Sequence, residues 1–235
     1  MSVRDVAVTV PWMGAGTVFL LREVDALPDD AFAAPSSLPG WTRAHVVAHL
    51  ARNAEALTRL ATWARTGVET PMYADAEQRA NEIESSSRAP VATLRRELES
   101  TAAELDAALA ALDDRTWQSE VRSALGRTIP AAEVPWMRVR EVWLHAVDID
   151  AGVSVADLPD GVVDTLLGDV TAVLSGKEGC PSVLLAPTDR DRTWTLGGDG
   201  GAEVRGVAAD VLAWLTGRAS GETLTGEVPT PPRWL

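Results

Sequence analysis

Three histidines make up the whole imidazole complement of this 235-residue chain, and all three stand in patterned, apolar-rich segments. His145 follows Glu141 by four residues, in Glu141-Val-Trp-Leu-His145. On a helix that spacing puts a carboxylate and an imidazole on one face, one turn apart. His45 and His49 repeat the spacing in His45-Val-Val-Ala-His49. Facing helices of a bundle commonly supply metal ligands from such positions. One histidine of the second pair, with Glu141 and His145, would complete a two-histidine, one-carboxylate set. Catalytic zinc is held by that set with a fourth position left open. The same residues also have a plainer reading, in which the histidines pack in a core or cap charges and Glu141 pairs with Arg138 or Arg140. His45 and His49 compete for the third place. His45 comes three residues after the expected helix start at Thr42, while His49 lies a turn deeper and is the better placed to face an interior. His45 would then orient a ligand from behind or pack against Trp41.

These residues need helices to position them, and the first 150 residues read as helices. Residues 11–26 place Val18, Leu20, Leu21 and Val24 on one apolar stripe. A second helix is expected from Thr42, a good N-cap, to Thr66. Its apolar positions are Val46, Val47, Leu50, Leu57, Leu60 and Ala61, and Gly67 closes it. A third helical region, 75–112, is interrupted at 85–90, with Pro90 suited to restarting a helix. GRTIP at 126–130 ends a loop. A fourth helix runs from Ala131 to Asp150, with Pro135 early enough to be tolerated. Trp143 lies two residues from each of Glu141 and His145 and should face away from them.

Four long helices with short connections predict an up-down bundle. After residues 151–161 the texture changes. A helix is expected over 161–175, then short strands in 182–187, 192–198 and 202–206, a helix over 207–217 and an extended tail. The fold class is therefore α+β: a helical bundle over residues 1–152 and a small α+β domain over 153–235.

Composition narrows the function. Acidic residues outnumber basic ones 34 to 21, a net charge of −13, which argues against a nucleic-acid surface and against a polybasic membrane anchor. No apolar run approaches the roughly 20 residues that span a bilayer. The N-terminus, MSVRDVAVTVPW, does not read as a signal peptide, so the expected location is cytoplasmic. The single cysteine, Cys180, excludes an intrachain disulfide and a cysteine-built metal site. In KEGCPSV it reads as a small residue near a turn. Any thiol chemistry would draw its sulfur from a small molecule.

PGWTRAHVVAHLARN at 39–53 and RVREVWLHAVDID at 138–150 resemble the mycothiol-dependent maleylpyruvate isomerases of actinobacteria, within the wider DinB-like metal-binding bundle superfamily. TGVETPMY at 66–73, GRTIPAAEVPWMR at 126–138 and the C-terminal GEVPTPPRWL extend the resemblance over essentially the whole chain; residues 85–125 match only loosely. The resemblance implies that His49, Glu141 and His145 are the zinc ligands. It also implies that Arg218, in WLTGRASGE, is functionally important.

The implied reaction converts maleylpyruvate to fumarylpyruvate in gentisate breakdown. A thiolate adds to the activated alkene, the resulting single bond rotates, and expulsion of the thiolate leaves the trans product. The implied partners are a divalent metal, expected to be zinc, mycothiol as the thiol, and a small dianionic substrate. Arg218 is the candidate for a substrate carboxylate because a guanidinium fork pairs with one bidentately; by itself it reads as a helix C-terminal arginine. Arg79, in EQRANEI, is a second candidate that a solvated helix face would explain nearly as well. Two other readings stand beside this one. In the first, the chain is a mycothiol-dependent S-transferase with the same ligands and a different electrophile. In the second, it is a non-catalytic bundle whose metal is closed off by a fourth protein ligand, for which His45 is the candidate.

Overall fold

The computed structural model describes residues 5–198 and 200–234. It divides into two compact units, Met1–Gly152 and Val153–Leu235.

The first unit is built on four long helices, α1 (Val6–Ala26), α2 (Arg43–Thr66), α4 (Val91–Ala110) and α5 (Val134–Asp148), with a short α3 (Ala76–Ser86). α2 packs on α4 and α5, and α1 packs on α5 and α4, so the four enclose one core; α3 lies on α2. Leu50, Leu57 and Leu60 of α2 meet there with Leu94, Leu98 and Leu105 of α4, and all are essentially inaccessible. Sequence signals set the α2 boundaries. The Thr42 side chain accepts from the His45 amide, and Gly67 closes the helix in the left-handed region at φ 73°.

α1 starts at Val6, earlier than the expected residue 11. Asp5 caps it by accepting from the Ala7 amide, and Pro11 lies on the exposed side, where the one lost backbone hydrogen bond is open to water. The expected stripe on α1 also needs correction. Leu20 and Val24 are buried, but Val18 is 70% exposed. The interior face runs instead through Thr9, Met13, Gly16, Thr17, Leu20 and Val24. Its register is set by the small residue Gly16, which lets α1 lie close against Val142 and Trp143 of α5. A Cβ there would stand 2.5 Å from Val142 Cγ2 and 2.7 Å from Trp143 Nε1. Trp143 Nε1 donates to the Trp12 carbonyl at 3.1 Å, so the tryptophan serves the α1 contact.

Residues 120–130, expected as loop, form an antiparallel hairpin of β1 (Glu120–Arg122) and β2 (Thr128–Pro130). Three-residue strands are too short to announce themselves by alternation; only Val121 and Ile129 turn inward. α5 follows a single 3-10 turn at Ala131–Glu133, three residues later than the helix start expected at Ala131.

In the second unit, α6 (Asp160–Ser175) and α7 (Ala208–Leu215) accompany a four-stranded sheet in the order β4 (Trp194–Leu196), β3 (Val183–Leu185), β5 (Ala202–Arg205), β6 (Thr225–Gly226). β3 pairs antiparallel with β4 and parallel with β5, and β6 pairs antiparallel with β5. The last strand comes from the expected extended tail. Lys177, the only lysine, holds that tail by donating to the Arg233 and Trp234 carbonyls. Among the described residues no helix is long and apolar enough to cross a membrane.

Replacing Gly16 by Ala is expected to destabilise the bundle by about 1–2 kcal/mol, since overpacking outweighs the roughly 1 kcal/mol gain in helix propensity. Chemical denaturation of the variant checks this; a midpoint above that of the parent would mean α1 can shift away from α5 without loss.

Candidate metal centre

α2 and α5 face each other, and their inward polar positions converge. His49 is 3% exposed in an otherwise apolar stretch of α2. Its Nε2 lies 2.8 Å from Glu141 Oε2. His145, one turn along α5 from Glu141, places its own Nε2 3.2 Å from the same oxygen. The two imidazole planes are perpendicular, with ring centres 4.8 Å apart. One ligand atom from each of the three residues falls within 4.8 Å of the others. Behind His145, the fully buried Asp148 takes Nδ1 at 2.8 Å. A carboxylate on the far nitrogen fixes ring orientation and tautomer, as it does behind many metal-bound histidines. Arg79 of α3 approaches the other ring, its Nη2 3.3 Å from His49 Nδ1.

The electrostatics assign the protons. Burial pushes the Glu141 carboxyl upward, but hydrogen bonds from His145 and His49 outweigh it and hold its pKa well below the usual carboxylate range. For His49 burial wins over the pull of Glu141, and its pKa falls below 6.5. For His145 burial is overcome by hydrogen bonds to Asp148 and Glu141, which raise its pKa to about 9. At neutral pH His49 is thus a neutral ring donating from Nε2 to Glu141, with Nδ1 free to accept from Arg79. His145 is an imidazolium donating to Glu141 and Asp148. Once His145 gives up its Nε2 proton, the Glu141 oxygen and one nitrogen of each imidazole are left with lone pairs that a divalent ion would take. Two imidazoles, one carboxylate and a carboxylate behind one ring suit zinc or a similar divalent ion.

His45 stands apart from this group. Its Nδ1 accepts from the Thr42 amide at 3.2 Å, completing a capping box at the start of α2. Its Nε2 pairs with Glu84 of α3 at 3.1 Å. Trp41 stacks on the His45 ring, with centres 6.2 Å apart, and also touches His49 at 5.5 Å. Glu141 pairs with the two histidines, and Arg138 instead donates from Nη1 to the Leu50 carbonyl and Asn53 Oδ1.

The expected substrate arginines fall in different units. Arg79 belongs to the helical unit and reaches His49. Arg218 belongs to the second unit, just beyond Gly217 after α7, where its amide donates to the Ala213 carbonyl at 2.7 Å. Asp148 and Tyr73 are not among the residues expected from the sequence. The three-residue step from His145 to Asp148, within HAVD, is the signal for the first; Tyr73, at the end of TGVETPMY, carried none.

A helical unit with a histidine–carboxylate cluster, joined to a small α+β unit, defines the class of protein. Residues 13–150 match the mycothiol maleylpyruvate isomerase N-terminal domain and residues 157–234 match the MDMPI C-terminal domain. The chain therefore belongs to the mycothiol-dependent maleylpyruvate isomerase family. It is 35% identical to a crystal structure of the mycothiol-dependent maleylpyruvate isomerase, over 100% of both chains, with a TM-score of 0.90. A crystal structure of a histidine-to-alanine mutant of the same enzyme matches at 35% identity, again over 100% of both chains, with a TM-score of 0.91. No curated protein matched the chain.

Loading the cluster with zinc at pH 7.5 is expected to release about one proton per ion. His145, with a pKa of about 9, is protonated at that pH and must give up its Nε2 proton to become a ligand. Calorimetry in buffers of different ionisation enthalpy measures this number. A value near zero would contradict the imidazolium assignment.

Proposed function

We propose that the chain is a mycothiol-dependent cis–trans isomerase that converts maleylpyruvate to fumarylpyruvate in the cytoplasm, with a zinc ion held by His49, Glu141 and His145. Full-length likeness to an enzyme of that name, coinciding with a three-residue cluster of the right donor chemistry, carries the reading. When bound, the metal supplies a Lewis acid able to favour the thiolate form of a coordinated thiol or to polarise a carbonyl oxygen.

The chain's own residues have separable tasks. Glu141 contributes the one negative charge of the ligand set, so two neutral imidazoles and a carboxylate leave a divalent ion with net positive charge. Asp148 keeps the Nδ1 proton of His145 in place and would leave Nε2 as the nitrogen that holds an ion. Trp41, packed against His45 and His49, shields one side of the His49 ring. Arg79 and Arg218 are the proposed partners of substrate carboxylates. In a chain of net charge −13, a dianion needs such local positive charge.

The chain's own sulfur is not suited to the addition step. Burial pushes the Cys180 thiol upward, and its described hydrogen bond is to the Pro181 carbonyl. A thiol of raised pKa without a basic neighbour is a poor nucleophile. The nucleophile is therefore assigned to the external thiol.

Incubation of zinc-loaded protein with maleylpyruvate, with and without mycothiol, tests the proposal by absorbance. Formation of fumarylpyruvate only when the thiol is present is the expected result. Turnover at the same rate without thiol, or none with it, would overturn the reading.

A further inference from the structure

Tyr73 is the single tyrosine of the chain and lies in the segment between α2 and α3. Its half-buried ring has the Arg59 guanidinium carbon 5.7 Å from its centre. Arg59 is itself held in place, with Nε and Nη2 both donating to the Met72 carbonyl. The Tyr73 hydroxyl oxygen is buried and has no partner in good hydrogen-bond geometry. Buried polar groups are nearly always paired, so one left unpaired beside a cluster of titratable residues asks for a reason.

The charges acting on this hydroxyl tie it to the candidate centre. Burial raises the phenol pKa above its ordinary value, with Arg79, Glu141 and Arg59 the charges that act on it. Arg79 acts on the phenol through its charge and through a loosely aligned side-chain hydrogen bond, while its Nη2 reaches His49 Nδ1 at 3.3 Å. A phenol is protonated at neutral pH, so it has a proton to donate. A carboxylate only accepts hydrogen bonds, and a hydroxyl donor beside a guanidinium fork matches that need.

We propose that the Tyr73 hydroxyl and the Arg79 guanidinium together form a subsite for one carboxylate of the dianionic substrate, with Tyr73 as a binding and specificity residue. Arg79 supplies the charge and Tyr73 supplies a directional donor. Arg59 fixes the phenol from its face, so the hydroxyl need not be ordered when the anion arrives. The inference rests on the isomerase reading for the identity of the dianion.

The sole tyrosine makes the test specific, because labelling tyrosine with carbon-13 at Cζ gives one resonance. Fumarylpyruvate added to the zinc-loaded protein is expected to shift it. Tyr73→Phe keeps the ring against Arg59 and removes only the hydroxyl. It should weaken fumarylpyruvate binding by about tenfold or more, with zinc content and Tm unchanged. A resonance that stays fixed while the histidine resonances report saturation would overturn the proposal, as would a Tyr73→Phe variant that binds with parental affinity. Failure of the isomerase reading is distinguishable: it appears as absent thiol-dependent turnover in the parent chain, whereas the tyrosine resonance reports anion binding without turnover.

Discussion

The helical unit is organised around one half-buried carboxylate. Glu141 ionises inside the bundle because two imidazoles meet it, His49 from α2 and His145 from its own helix. Partly withdrawn from water, the carboxylate is stabilised by these partners, so the register of α2 against α5 is coupled to this contact. Other polar links reinforce the same register. Arg138, almost wholly inaccessible, crosses from α5 to the Leu50 carbonyl and Asn53 side chain of α2. Arg43, at the start of α2, donates to the Ile149 carbonyl beyond the end of α5. On the opposite side of α5, Gly16 and Trp143 bring α1 in closely. The apolar core supplies cohesion, and these links select one arrangement of helices.

The elements most legible in the sequence were those with end signals. Thr42 and Gly67 mark α2 because a threonine oxygen can take an orphan amide and a glycine can enter the left-handed region. Pro90 marks the restart at α4 for a comparable reason. The expected α1 is too short at its start because the apolar stripe becomes visible only after Pro11, whereas the Asp5 cap opens the helix at Val6. Val18 was placed inside because it is apolar; the close approach at Gly16 rotates the buried face away from it. The hairpin at 120–130 was missed because each strand turns a single side chain inward.

The cluster was partly legible for a similar reason. Four-residue spacing on each helix showed which side chains share a face, but it cannot show which two faces meet. It left His45 and His49 as alternatives, and the resemblance to the isomerase family favoured His49. In the structure His45 closes the capping box of α2 and pairs with Glu84, so its ring is committed to α2 and α3. Asp148 and Tyr73 depend on long-range packing, and no local spacing rule points to the phenol. The proposed chemistry is also in keeping with composition: one cysteine, its thiol pushed up by burial, leaves the sulfur to an external thiol.

The account turns on His49, Glu141 and His145 holding one ion with no fourth protein ligand. Anomalous diffraction from crystals grown with zinc measures this directly. The account predicts one strong peak about 2.0–2.2 Å from a nitrogen of each histidine and from a Glu141 oxygen, with the remaining position filled by solvent or an added thiol. A peak elsewhere, or one also coordinated by His45 or another side chain, would contradict it, because a closed site leaves no place for a reactant.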